Sequence, residues 1–103
     1  MLILTRKLGE GIIMGEHTKV TVDAFVTFRR TIGGVSSLLE IEIEERDTTQ
    51  RIILEMRRPY DYKGVIIQYL ARKGNAARIG INAPPNIPIL REELLNEFRG
   101  GYR

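Results

Sequence analysis

The chain contains no cysteine and no tryptophan, and its single histidine is His17. Without cysteine there are no disulfides, no thiol nucleophile and no cysteine-ligated zinc. One histidine makes no imidazole cluster for a metal and supplies a Ser/His/Asp arrangement poorly. It lies in a turn-like polar stretch and reads as a surface residue. Acids such as Glu92 and Glu93 are adjacent and are better explained as first-turn helix charges than as an acid–base pair. The sequence therefore points away from an enzyme, with no catalytic residue, no cofactor and no metal expected. Long hydrophobic runs are also missing. Nothing approaches the roughly 20 apolar residues of a membrane-spanning helix, and MLILTRKLGEG has no basic region leading into a long apolar stretch. A cytoplasmic protein without membrane contact is expected.

What is present is ordinary globular composition over 103 residues, 43% hydrophobic and 28% charged, enough for one domain. So short a chain has a small core, which favours an obligate oligomer. The net charge is +3, and its placement matters more than its size. Residues 1–24 and 25–63 are each neutral, so the excess falls in residues 64–103, on Arg72, Lys73, Arg78, Arg91, Arg99 and Arg103. A basic excess suits phosphate backbones; a merely solvated basic surface is the plainer alternative.

Apolar alternation predicts a β-rich chain. Leu2–Lys7, Ile12–Met14 and Val20–Phe28 read as strands. Leu39, Ile41 and Ile43 alternate with Glu40, Glu42 and Glu44, and Ile52, Leu54 and Met56 alternate with Arg51, Glu55 and Arg57. These two runs predict a hairpin, with glutamates opposite arginines. Pro59–Gly64 breaks the pattern. Val65–Arg72 and Ala77–Ile81 follow as strands around a Lys73-Gly74-Asn75 turn. Ile87–Leu90 is a last short strand containing Pro88, which cannot donate a ladder hydrogen bond and so belongs at an edge. Only Arg91–Phe98 looks helical. Lys19–Val22 and Gly64–Ile67 are alike only as strands, and no repeat is read from them.

Two blocks carry a specific resemblance. The first is MLILTRKLGE with Ile12-Ile13-Met14-Gly15. The second is Lys73-Gly74-Asn75, Ala77-Arg78-Ile79-Gly80-Ile81-Asn82-Ala83-Pro84 and Ile87-Pro88-Ile89-Leu90-Arg91-Glu92-Glu93-Leu94. In order, spacing and terminal position they resemble the bacterial carbon storage regulator family (CsrA/RsmA), small proteins that bind messenger RNA. The resemblance implies a mainly β fold with one C-terminal α-helix, in an interlocked homodimer whose first strand lies beside the last strand of the partner. It implies binding of GGA-containing sites or hairpin loops, and control of translation or message stability. The matching RNA-binding positions are Leu4, Thr5, Arg6 and Lys7 on the first strand, Ala83 and Pro84 in a loop, Ile87, Ile89 and Arg91 on the last strand, and Leu94 on the helix.

By residue type, Arg6 and Lys7 are the better direct contacts. Leu4, Ile87, Ile89 and Leu94 suit packing, and Arg78 is a weaker phosphate candidate. Arg91 offers a planar fork at a strand-to-helix junction, the alternative being an ion pair with Glu92 or Glu97. Two departures stand out. Leu90 replaces a histidine of many relatives, and Pro85 replaces a lysine. By the resemblance the single domain, 1–103, is longer than the family: residues approximately 17–63 are expected to be an insertion between the second and third family strands, holding an extra β-hairpin. The expected partners are mRNA or small regulatory RNA, a second copy of the chain and a protein antagonist. An alternative function is a protein-interaction module on the same dimer scaffold, with RNA binding weakened or lost.

Overall fold

The structure is a computed structural model that describes residues 1–29 and 35–94. Nine strands follow one another: β1 (Leu2–Lys7), β2 (Gly11–Met14), β3 (Thr18–Arg29), β4 (Val35–Glu45), β5 (Thr48–Glu55), β6 (Tyr60–Tyr62), β7 (Val65–Lys73), β8 (Ala76–Asn82) and β9 (Ile89–Arg91). A helix begins at residues 92–94; the remainder of the expected helix, to Phe98, lies outside the described residues. The fold is mainly β with this one short C-terminal helix. No helix among the described residues is long and apolar enough to cross a membrane.

The strands make two antiparallel sheets, β1-β8-β7-β6 and β5-β4-β3-β2-β9. Period-two alternation sends one face of each inward. Leu4, Val65, Ile67, Tyr69, Ile79 and Ile81 from the first sheet share one core with Ile12, Val20, Val22, Leu39, Ile41, Ile43 and Leu54 from the second. Tyr69, fully buried, brings its hydroxyl within 3.1 Å of Ser37 Oγ, which joins the two sheets. The Glu45 carboxylate accepts hydrogen bonds from Tyr62 Oη and from Lys63 Nζ and so joins them again.

The expected β4–β5 hairpin is present, with Glu42 directly opposite Arg51 and Leu39 opposite Leu54. It is not a free-standing hairpin, because β4 also pairs along its length with β3. β6 was not expected from the sequence. Tyr60 and Tyr62 turn inward around Asp61, an alternation too short to register between Pro59 and the Lys63-Gly64 turn. The last strand begins one residue after Pro88, whose carbonyl instead accepts Gly15 N–H at 2.8 Å. Within the chain, β1 pairs with β8 and β9 pairs with β2.

Candidate nucleic-acid interface

β1 and β9 are both edge strands, each with one side of its backbone unpaired among the described residues. A free strand edge presents N–H and C=O groups at regular spacing, which suits the hydrogen-bonding edges of unpaired bases. The two edges are brought to one corner because β1 runs through a tight turn into β2, the strand on which β9 lies. Gly9 makes that turn with φ +87° and donates its N–H to Val22 O at 2.7 Å.

Along β1 the alternation is Leu4 and Arg6 inward, Thr5 and Lys7 outward. Arg6 is thus an arginine at a core position, only 3% exposed. Its Nη1–H and Nη2–H groups donate to Glu93 Oε1 and Oε2 at 2.7 and 2.9 Å, and Nη1 also reaches Gly11 O at 3.2 Å. This forked, charge-assisted contact fixes the start of the helix to β1. The Arg6 hydrogen bond is the main reason the Glu93 carboxyl is pulled down to about 2. Lys19 holds the neighbouring Glu92 from β3, Nζ to Oε2 at 2.7 Å. Gly11 leaves the space this needs: a Cβ there would lie 2.8 Å from Glu92 Oε1.

With both acids engaged, Arg91 is left exposed, and it makes no ion pair or hydrogen bond with a described residue. The alternative of a pair with Glu92 is not what the structure has; Glu97 lies outside the described residues. Lys7 is exposed at the end of β1. Arg78 stands opposite Thr5 on the same outward face, and Lys73 belongs to the same end of that sheet. Arg72 is engaged, its guanidinium 4.0 Å from the Phe25 ring centroid.

The ten residues singled out in the sequence therefore separate by place. Thr5, Lys7, Arg91 and Leu94 are exposed around one corner, and Arg6 is the buried strut beneath it. Leu4 is core. Ile89 is half-buried opposite Met14. Ala83, Pro84 and Ile87 sit in the loop before β9, where Ile87 N–H donates to Pro84 O at 3.0 Å. This loop is at the opposite end of β9 from Arg91. Glu92, Glu93, Gly11 and Lys19 were not singled out. The signal for Glu93 was the inward register of Arg6, which calls for an acid partner.

The outward face of the β3–β4 pair has the other sign. Asp23, Glu40, Glu42 and Glu44 lie on the β3–β4 pair, relieved by Arg51 at 3.6 Å from Glu40. Desolvation first, then the contact with Glu44 and the charge of Asp23, hold the Glu42 carboxyl above its ordinary value. Among the described residues no group of histidine or acidic side chains is arranged to hold a metal.

No solved structure matches the chain. A family model described as CsrA, a global regulator protein family, matches residues 45–99. The match runs from the end of β4 through β5–β9 and into the helix, and so takes in Arg91 and its acid neighbours. It starts inside the 17–63 segment and leaves β1 outside. It covers more than half of the sequence, and the chain belongs to the CsrA family of global regulators.

Proposed function

We propose that the protein is an RNA-binding post-transcriptional regulator, which takes GGA-containing mRNA sites or hairpin loops and thereby controls translation or message stability. The observation that carries this reading is the corner where two free strand edges meet under exposed Arg91 and Lys7, with Arg6 and Glu93 locking it from beneath. Unpaired loop bases offer Watson–Crick and Hoogsteen edges that backbone groups can read. Arginine meets guanine acceptors or phosphate with a planar fork. Lys7, Arg78 and Lys73 extend the corner as a phosphate track, while the acidic face of β3–β4 repels RNA and limits it to one side. The partners on this reading are mRNA and small regulatory RNA.

Titration of a short hairpin with a GGA loop, beside a CCA-loop control, at low and high salt tests this. Binding that needs GGA and weakens steeply with salt is expected. Binding indifferent to loop sequence would leave the scaffold as a protein-interaction module, with the acidic β3–β4 face as the surface for a protein antagonist.

A further inference from the structure

We propose that the chain is a fused pair of one structural unit, folded on itself with internal twofold pseudosymmetry, and that it carries one RNA surface where a symmetric pair would carry two. The number of RNA surfaces rests on the function proposed above; the fused pair does not.

The sheet orders state the relationship. Placing β1 on β5, β2 on β6, β3 on β7 and β4 on β8 turns β5-β4-β3-β2 into β1-β8-β7-β6. The first strand of each unit thus pairs with the fourth strand of the other. The register agrees residue by residue. Leu4 faces Ile79 as Ile52 faces Ile41. Ile12 faces Val20 as Tyr60 faces Ile67. Even the irregularity repeats: β3–β4 shifts register between Val22 and Ala24, opposite Ile41 and Glu40, and β7–β8 shifts between Tyr69 and Ala71, opposite Ile79 and Arg78.

The ends of the ladders and the turns that follow them repeat as well. The β1–β8 ladder runs on one step, Leu8 N–H to Asn75 O, as the β4–β5 ladder does, Met56 N–H to Ser37 O. Gly9 N–H reaches Val22 O as Arg57 N–H reaches Tyr69 O, each at 2.7 Å, with positive φ at both Gly9 and Arg57. Glu10 N–H returns to Lys7 O as Arg58 N–H returns to Glu55 O. A bulge and two turn bonds are features independent of the ladders, and their joint recurrence at matched positions is not a generic consequence of antiparallel pairing.

This division accounts for the family match. Residues 45–99 are one unit with its last strand and helix, and residues 1–45 are a second unit lacking both. Residues 17–63, read from the sequence as an insertion, become the end of the first unit and the start of the next.

The differences between the units follow from that one missing piece. β9 covers the outer edge of β2; among the described residues nothing covers the matching edge of β6. Arg6, which reaches up to Glu93, has Leu54 as its counterpart, where no helix awaits it. Gly11, which makes room for Glu92, has Pro59. Thr5 opposite Arg78 becomes Ile53 opposite Glu40, and Lys7 becomes Glu55. The symmetry-related corner has therefore lost the strand, the strut and the counterparts of Lys7, Arg78 and Arg91 together, and its exposed Arg57 and Arg58 stand in the turn instead.

Light scattering on the whole protein, free and saturated with the GGA-loop hairpin, reads both parts. The free protein is expected at the mass of one chain, 11.8 kDa, and the complex at one chain plus one RNA. As a second readout, Ile13→Cys/Leu90→Cys joins facing residues of β2 and β9 in a protein with no other cysteine; after oxidation the crosslink is expected within one chain. A free protein of two chains, a crosslink between chains, or two RNAs on one chain would overturn the proposal. A single chain with an internal crosslink that takes no RNA upholds the fused pair and overturns the RNA reading alone.

Discussion

The Arg6 guanidinium lies in a core position of β1 and forks onto the Glu93 carboxylate, Nη1 to Oε1 at 2.7 Å and Nη2 to Oε2 at 2.9 Å. Its counterpart in the other half of the chain is Leu54, 2% exposed. The site is thus competent for an aliphatic side chain, and the arginine is there for its reach. Arg6→Leu is expected to keep a cooperative melt, because leucine packs in this register and Glu93, half-exposed, becomes solvated. Affinity for the GGA hairpin is expected to fall by more than tenfold, about 1.4 kcal/mol, as the helix start and Arg91 lose their anchor. Unchanged affinity with Leu at this position would remove the strut from the account.

The same pair sets a pH dependence. Glu93 has a folded value near 2 against an ordinary 4.5. In that interval the unfolded chain binds more protons than the folded one, so stability falls as pH falls from about 4.5 towards 2. Glu42 has the opposite sign: its carboxyl is raised, so its charged form burdens the fold at neutral pH and protonation relieves it. Melting temperature against pH is expected to drop on the acid side, less steeply in Glu93→Gln. Glu42→Gln should melt higher than the parent at pH 7. A Glu93→Gln profile superimposable on the parent would contradict the assignment.

Ile41 and Ile79 occupy matched positions at the two register shifts, each 1% exposed. Truncation of either leaves a cavity in the same shared core. Ile41→Ala and Ile79→Ala are each expected to cost about 2–5 kcal/mol, read in denaturant titrations as a lower midpoint of one cooperative unfolding transition that is kept. If one were silent while the other unfolded the protein, the two halves would not share a core.

Lys7 is exposed at the end of β1 and makes no ion pair with a described residue. As a phosphate contact it should act without regard to loop sequence. Lys7→Ala is expected to weaken GGA and CCA hairpins alike and to reduce the slope of log affinity against log salt by about 1.

Much of the strand content was legible because alternation is a local signal. Leu39–Ile43 against Ile52–Met56 announced β4 and β5, including the Glu42–Arg51 juxtaposition. β6 was not legible, since three residues hold too little alternation to separate a strand from a turn. Neither was the pairing of β1 with β8 and β9 with β2: the sequence states which residues are apolar, not which distant strand they meet. The internal pseudosymmetry was hidden for a related reason. It preserves inward positions and turn geometry, while the matched side chains differ, as with Arg6 and Leu54 or Gly11 and Pro59. At the candidate site, Arg91 and Lys7 were legible as exposed cations. The role of Arg6 was not, because a basic residue in an amphipathic strand reads as outward until its register is counted from Leu4.

The most direct test of the RNA reading is an equilibrium titration of the GGA-loop hairpin against the parent protein and Arg91→Ala, with the CCA-loop hairpin beside each at one salt concentration. Arg91→Ala is expected to stay folded and to lose about 1–3 kcal/mol of affinity for the GGA loop, with most of its preference over CCA. A folded Arg91→Ala protein that binds the GGA loop as tightly and as selectively as the parent would contradict the account.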